Sequence, residues 1–153
     1  MKTVYRIEYR LGVPAPPAVI WELLYDMGRW PEWNPLMRKA EGELKMGERL
    51  VLTEEVPGQP AEEVAWRVLD WTPENQILLQ LNEMGGFIRR TRYIEIEKLT
   101  EEGCILSIGE DWAGRLARFT SKQRRRALNQ GFRAFADRLR ELATERAGAR
   151  ASA

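Results

Sequence analysis

Asp26-Met27-Gly28-Arg29-Trp30-Pro31-Glu32-Trp33-Asn34-Pro35 places two tryptophans and two prolines on a single turn. Tryptophan is large and rarely left in water, and proline fixes φ, so the stretch predicts a rigid turn packed onto a core. Trp30 and Trp33 are therefore read as packing residues and not as a site. Just upstream, Pro17 suits the first turn of a helix, and Val19, Ile20, Leu23 and Leu24 form an apolar stripe at helical spacing that Gly28 ends.

Before this helix, Val4 to Leu11 alternates, with Tyr5, Ile7, Tyr9 and Leu11 on one face and Arg6, Glu8 and Arg10 on the other, the period of a half-buried strand. Beyond the turn, six apolar-rich runs follow: 36–43, 48–55, 62–71, 76–81, 87–98 and 104–112, separated by short polar or glycine-containing breaks. Short breaks predict an antiparallel meander. The segment from about Ser121 to Arg146 repeats Leu128, Phe132, Phe135, Leu139 and Leu142 at helical steps, with Ser121 as its cap. A helix of that length spans about 39 Å and covers a whole sheet face.

The chain has 153 residues, 44% hydrophobic and 31% charged, which fits one soluble globular domain. Its net charge of +1 makes the whole molecule no trap for nucleic acid or acidic membranes, so any such contact is local. Nucleic acid is accordingly not favoured as a partner. Cys104 is the single cysteine, so no intrachain disulfide forms, and a cytoplasmic location is the expectation. No apolar run is long enough for a membrane span. Histidine is absent, which removes Ser-His-Asp and Cys-His nucleophiles and His-ligated metals; no metal or cofactor is expected. A homodimer is left open.

Together the elements give an α+β fold. The stretch from Pro17 to Pro35 resembles the N-terminal signature of the START-like superfamily, also called SRPBCC or polyketide cyclase-like. Glu110-Asp111-Trp112-Ala113-Gly114 resembles the Glu-x-aromatic-x-Gly that closes the last strand in its bacterial members. The resemblance covers nearly the entire chain. It implies a helix-grip fold: a curved antiparallel sheet of about seven strands around a long C-terminal helix, with two short helices after the first strand. One domain over residues 1–147 and a frayed tail over 148–153 are expected, since the Ala-Gly-rich end has nothing to bury. The resemblance further implies a cavity between sheet and helix for a hydrophobic or amphipathic small molecule, lipid-like or polyketide and aromatic.

Strand and helix phase aim Trp66, Trp112, Phe132 and Phe135 at that cavity. Arg90, Arg92 and Glu110 share phase with Ile94, Ile96, Leu106 and Ile108 and form the polar candidates. Because buried charges are costly alone, three outcomes stay open: they pair with one another, they meet a polar ligand group, or a bulge after Gly85-Gly86 turns them to solvent. Adjacent acids such as Glu54-Glu55 point to opposite faces of a strand and are poor acid–base candidates. Lys122, Arg124, Arg125 and Arg126 form the densest basic run and read as a solvated face. The leading function is therefore ligand binding by Trp66, Arg90, Arg92, Glu110, Trp112, Phe132 and Phe135. The alternative is a polyketide cyclase or dehydratase with Glu110 as acid–base group and Arg90 or Arg92 as oxyanion stabiliser, which requires a raised pKa at Glu110.

Overall fold

A computed structural model describes residues 2–152. The order is strand β1 (Thr3–Val13), helix α1 (Pro17–Tyr25), a short helical turn, α2 (Trp30–Trp33), strands β2 (Met37–Glu41), β3 (Arg49–Glu54), β4 (Glu62–Thr72), β5 (Gln76–Glu83), β6 (Ile88–Thr100) and β7 (Gly103–Ala113), then α3 (Lys122–Ala151). The strands form one antiparallel sheet in the order β1-β7-β6-β5-β4-β3-β2. A meander explains this order, since every strand from β2 to β7 pairs with its chain neighbour, and only β1 closes across to β7.

Why the sheet curls is visible in what α3 touches. At Gly131 a Cβ would lie 3.0 Å from Leu36 and 3.4 Å from Val56, which flank β2 and β3 at one edge. From the same helix, the Asn129 side-chain amide donates to the Glu8 carbonyl at 3.1 Å, and Asp137 accepts from the Tyr9 hydroxyl at 2.9 Å, both on β1 at the opposite edge. One helix reaches both edges only if the sheet wraps it, and register shifts in β1, β2 and β4 supply the bends.

Leu128, Phe132, Phe135 and Leu139 of α3 are buried, and Leu142 packs at the margin. Ser121 caps the helix, its hydroxyl accepting from the Arg124 amide at 3.1 Å. The helix does not stop near Arg146 but runs to Ala151, because Ala147 packs against the core and Arg150 pairs with Glu22 of α1 at 2.5 Å. At the tryptophan turn, Trp30 is buried, its indole N–H donates to the Leu24 carbonyl at 3.1 Å, and its ring meets Phe135 edge-on at 5.3 Å.

Gly114 closes β7 at φ 109°, and a Cβ there would run into the Phe87 carbonyl. This accounts for the glycine of the Glu-x-aromatic-x-Gly motif: left-handed backbone and close approach both exclude a side chain. Gly114→Ala is expected to cost roughly 1–3 kcal/mol of stability, read from the urea midpoint.

Candidate functional site

The regular alternation of β6 decides the site. Its pairing with β7 runs unbroken from Arg89 to Lys98, so no bulge follows Gly85-Gly86. Ile88, Arg90, Arg92, Ile94 and Ile96 all point inward, and β7 adds Leu106, Ile108, Glu110 and Trp112. Arg92 is 1% exposed and Glu110 0%. Of the three outcomes open from sequence, the arginines and Glu110 pair with one another.

They do so with two further acids. Arg92 clamps Glu54 with two parallel bonds, Nη1 to Oε2 at 2.9 Å and Nη2 to Oε1 at 2.7 Å, and donates to Glu110 from Nε at 3.0 Å and Nη2 at 2.7 Å. Arg90 donates to Glu110 from Nε at 2.6 Å and Nη2 at 3.1 Å, and from Nη1 to Glu83 at 2.7 Å. Arg124, on the first turn of α3, reaches Glu83 at 3.0 Å. Trp66 donates its indole N–H to Glu54 at 2.8 Å, and Trp112 donates to Glu110 at 3.0 Å.

The same cations and rings alternate in a stack that enters the core from the start of α3. Arg124 lies 4.8 Å from the Trp112 ring centre, Arg90 lies 4.8 Å from Trp112 and 5.2 Å from Trp66, and Arg92 lies 4.4 Å from Trp66 and 5.3 Å from Phe132. Each guanidinium thus meets both carboxylates and aromatic rings, the two environments its planar charge accepts.

Glu110 does not carry the raised pKa that the acid–base role requires. Burial alone would push its carboxyl up, but the charges and hydrogen bonds of Arg90 and Arg92 outweigh it and hold the group down at about 2. It accepts five hydrogen bonds, from Arg90, Arg92 and Trp112. Glu83 is held down as well, burial again being outweighed by Arg90 and Arg124. Because the folded-state value of Glu110 lies below its usual 4.5, its ionised form contributes stability at all pH above about 4.5 and loses it as pH falls toward about 2. Urea unfolding at stepped pH should show this loss within that window. The acid slope should be shallower in a Glu110→Gln variant compared with wild type.

The cavity that the resemblance implies lies elsewhere than the residues aimed at it by phase. Trp66, Arg92, Glu110, Phe132 and Phe135 are packed into a filled interior, each at most 1% exposed. Phe135 is not part of the cluster: it meets Trp30 and Trp33 edge-on instead. A cleft of about 210 Å³ opens at the N-terminal end of α3, between that helix and the 54–64 segment joining β3 to β4. Val56, Val64 and Leu128 give it apolar walls, and Arg90 and Trp112 alone of the predicted residues line it.

Glu83 was not singled out by sequence, while Glu54 was set aside as half of an adjacent acid pair and Arg124 as part of a solvated basic run. Glu54 had a signal, since it continues the Leu50-Leu52 alternation inward while Glu55 turns out to Arg38. Glu83 sits on the last position of β5, two residues beyond its expected end at Leu81. Two members of the basic run are tied into the fold, Arg124 by Glu83 and Arg125 by stacking 3.8 Å from the Tyr5 ring centre. Cys104 is buried, its thiol pushed up to about 11 by burial and donating to the Ala15 carbonyl. Among the described residues no cluster of three or more Cys, Asp or Glu side chains is placed to hold a metal ion, and no helix is long and apolar enough to cross a membrane.

A sheet gripping one long helix, with a cleft beside the helix start, defines the helix-grip class. The chain belongs to the family described as polyketide cyclase / dehydrase and lipid transport, which matches residues 6–144. Solved structures share the fold at low identity. A START superfamily protein from Mycobacterium smegmatis superposes with a TM-score of 0.71 at 16% identity, covering 92% of this chain and 97% of that one. Norcoclaurine synthase from Thalictrum flavum, in complex with dopamine and hydroxybenzaldehyde, gives 0.65 at 19% identity over 94% and 88%. Major latex-like protein 151 from Panax ginseng gives 0.73 at 12% identity over 91% and 97%. No curated protein is similar enough in sequence to count as a relative.

Proposed function

We propose that the protein binds a small amphipathic molecule, mostly apolar and bearing an oxygen acceptor, in the cleft between the 54–64 segment and α3. The observation that carries this reading is that the cleft's apolar walls meet the buried charge cluster through Arg90. Arg90 directs three of its five N–H groups at Glu83 and Glu110, which leaves donors for a ligand oxygen. Arg90, Arg92 and Arg124 are balanced by Glu54, Glu83 and Glu110, so the ligand needs no net charge. A volume of about 210 Å³ is below the roughly 300–1,000 Å³ of sites for drug-sized molecules, which favours a compact ligand or one end of a longer one. The family's description and the aromatic ligands of the norcoclaurine synthase complex agree with such chemistry.

The enzyme reading loses its acid–base group. A general acid or base works best with a pKa near the operating pH, whereas Glu110 is held far below it with its oxygens filled.

The test is a mass spectrum of small molecules released when the purified protein is denatured in organic solvent. Wild type is expected to release a hydrophobic species that Ala61→Trp, at an exposed cleft-lining position, does not retain. Equal release from both would place the ligand outside this cleft. If nothing is released and no aromatic or aliphatic carbonyl compound shifts the melting temperature, the binding role is contradicted.

A further inference from the structure

The end of the molecule where the cleft opens carries a surface that ligand binding does not use. There the β5–β6 turn and the β7–α3 connection come together. The Leu116 amide donates to the Phe87 carbonyl at 3.2 Å, and Lys2, Gly86, Phe87, Gly114 and Arg115 line one shallow hollow. Met84, Phe87 and Phe119 project from these connections and are 64%, 50% and 67% exposed.

Met84 is held there at some cost. Its φ is 51°, followed by Gly85 at 66° and Gly86 at 96°, so three successive left-handed residues build the turn. A flexible apolar side chain is a poor occupant of that backbone region, and nothing in the core is gained, because the side chain faces water. Such strain in support of an exposed apolar tip is explained by a partner that covers the tip.

Charge names the partner. From Trp112 to Ala136 the chain contains no Asp or Glu, although the whole molecule carries only +1. With Arg124 and Arg125 engaged inside the fold, the exposed cations from Gly114 to Arg126 are Arg115, Arg118, Lys122 and Arg126. Lys2 joins them across the hollow, and the Arg118 guanidinium lies 4.8 Å from the Phe119 ring centre.

We propose that this end docks on an anionic lipid bilayer, with Met84, Phe87 and Phe119 entering the boundary between headgroups and acyl chains and the basic ring meeting lipid phosphates and carboxylates. A polyanion such as RNA would engage the cations but has no acyl boundary for Met84. The docking stands whether or not the cleft is occupied.

The test is co-sedimentation with phosphatidylcholine vesicles, with and without phosphatidylserine. Binding is expected only with phosphatidylserine and should weaken as salt rises. At roughly fivefold per basic residue, Arg115→Ala with Arg118→Ala should weaken it on the order of 30-fold. Phe87→Ser with Phe119→Ser should weaken it at least about tenfold while the melting temperature, cleft binding and affinity for poly(U) hold. Absence of binding to phosphatidylserine vesicles overturns the proposal, as does binding that the phenylalanine variant leaves undiminished. If the protein prefers poly(U) to vesicles, the surface is a nucleic-acid interface instead.

Discussion

Glu110→Gln is expected to unfold the protein far more readily than any surface change, lowering stability by about 3–5 kcal/mol. The carboxylate is wholly buried and joins Arg90 to Arg92, so its loss leaves three arginines facing two glutamates in a low-dielectric interior. The amide also turns an NH₂ group toward guanidinium donors that have no acceptor in exchange. From phase alone, this substitution reads as a site change that spares the fold. Five accepted hydrogen bonds make it a change to the fold itself. Equilibrium urea unfolding checks it: a midpoint shift of under about 1 kcal/mol equivalent would show that the cluster contributes little. Glu83→Gln, at the partly exposed rim, should cost less, because water replaces part of what the acid supplied.

Phe132→Ala should cost on the order of 3–5 kcal/mol. Sequence reading separates two cases for this ring, a full loss if it is buried and a smaller one if it borders an open cavity. Phe132 is 0% exposed and lies against the Arg92 guanidinium, so the full loss applies. Deleting the ring opens a void and also removes one π-face from a buried cation. A loss of only about 1 kcal/mol in thermal or urea unfolding would mean that the interior behind the cleft is open after all.

These two residues show where sequence sufficed and where it did not. The alternation of β4, β6 and β7 carried Trp66, Arg90, Arg92, Glu110 and Trp112 to the correct face, because a strand's period of two needs only its own phase. Pro17 and Ser121 marked helix starts for equally local reasons, fixed φ and a capping hydroxyl. Partners from other strands were not legible. Glu54 lies 38 residues from Arg92, so although its strand phase turns it inward, nothing in the sequence says which cation it meets. Glu83 was missed because the apolar pattern of β5 stops at Leu81 while its backbone ladder continues to Glu83, which pairs with Ile88 of β6. Volume is also a tertiary property: Phe132 and Phe135 could be aimed inward from spacing, but whether they line a cavity or fill it depends on Trp30, Trp33 and Arg92 arriving against them.

The buried cluster is a fixed part of the fold beside the cleft for which ligand binding is proposed, and the protonation of Glu110 decides between a structural carboxylate and an acid–base enzyme. A carbon-13 NMR titration of the glutamate side-chain carboxyls, assigned by the missing signal in Glu110→Gln, measures it directly. The Glu110 signal is expected to stay at its ionised position through neutral and mildly acidic pH, with a midpoint at about 2. A midpoint near about 6–7 would contradict it and restore Glu110 as a proton-transfer group.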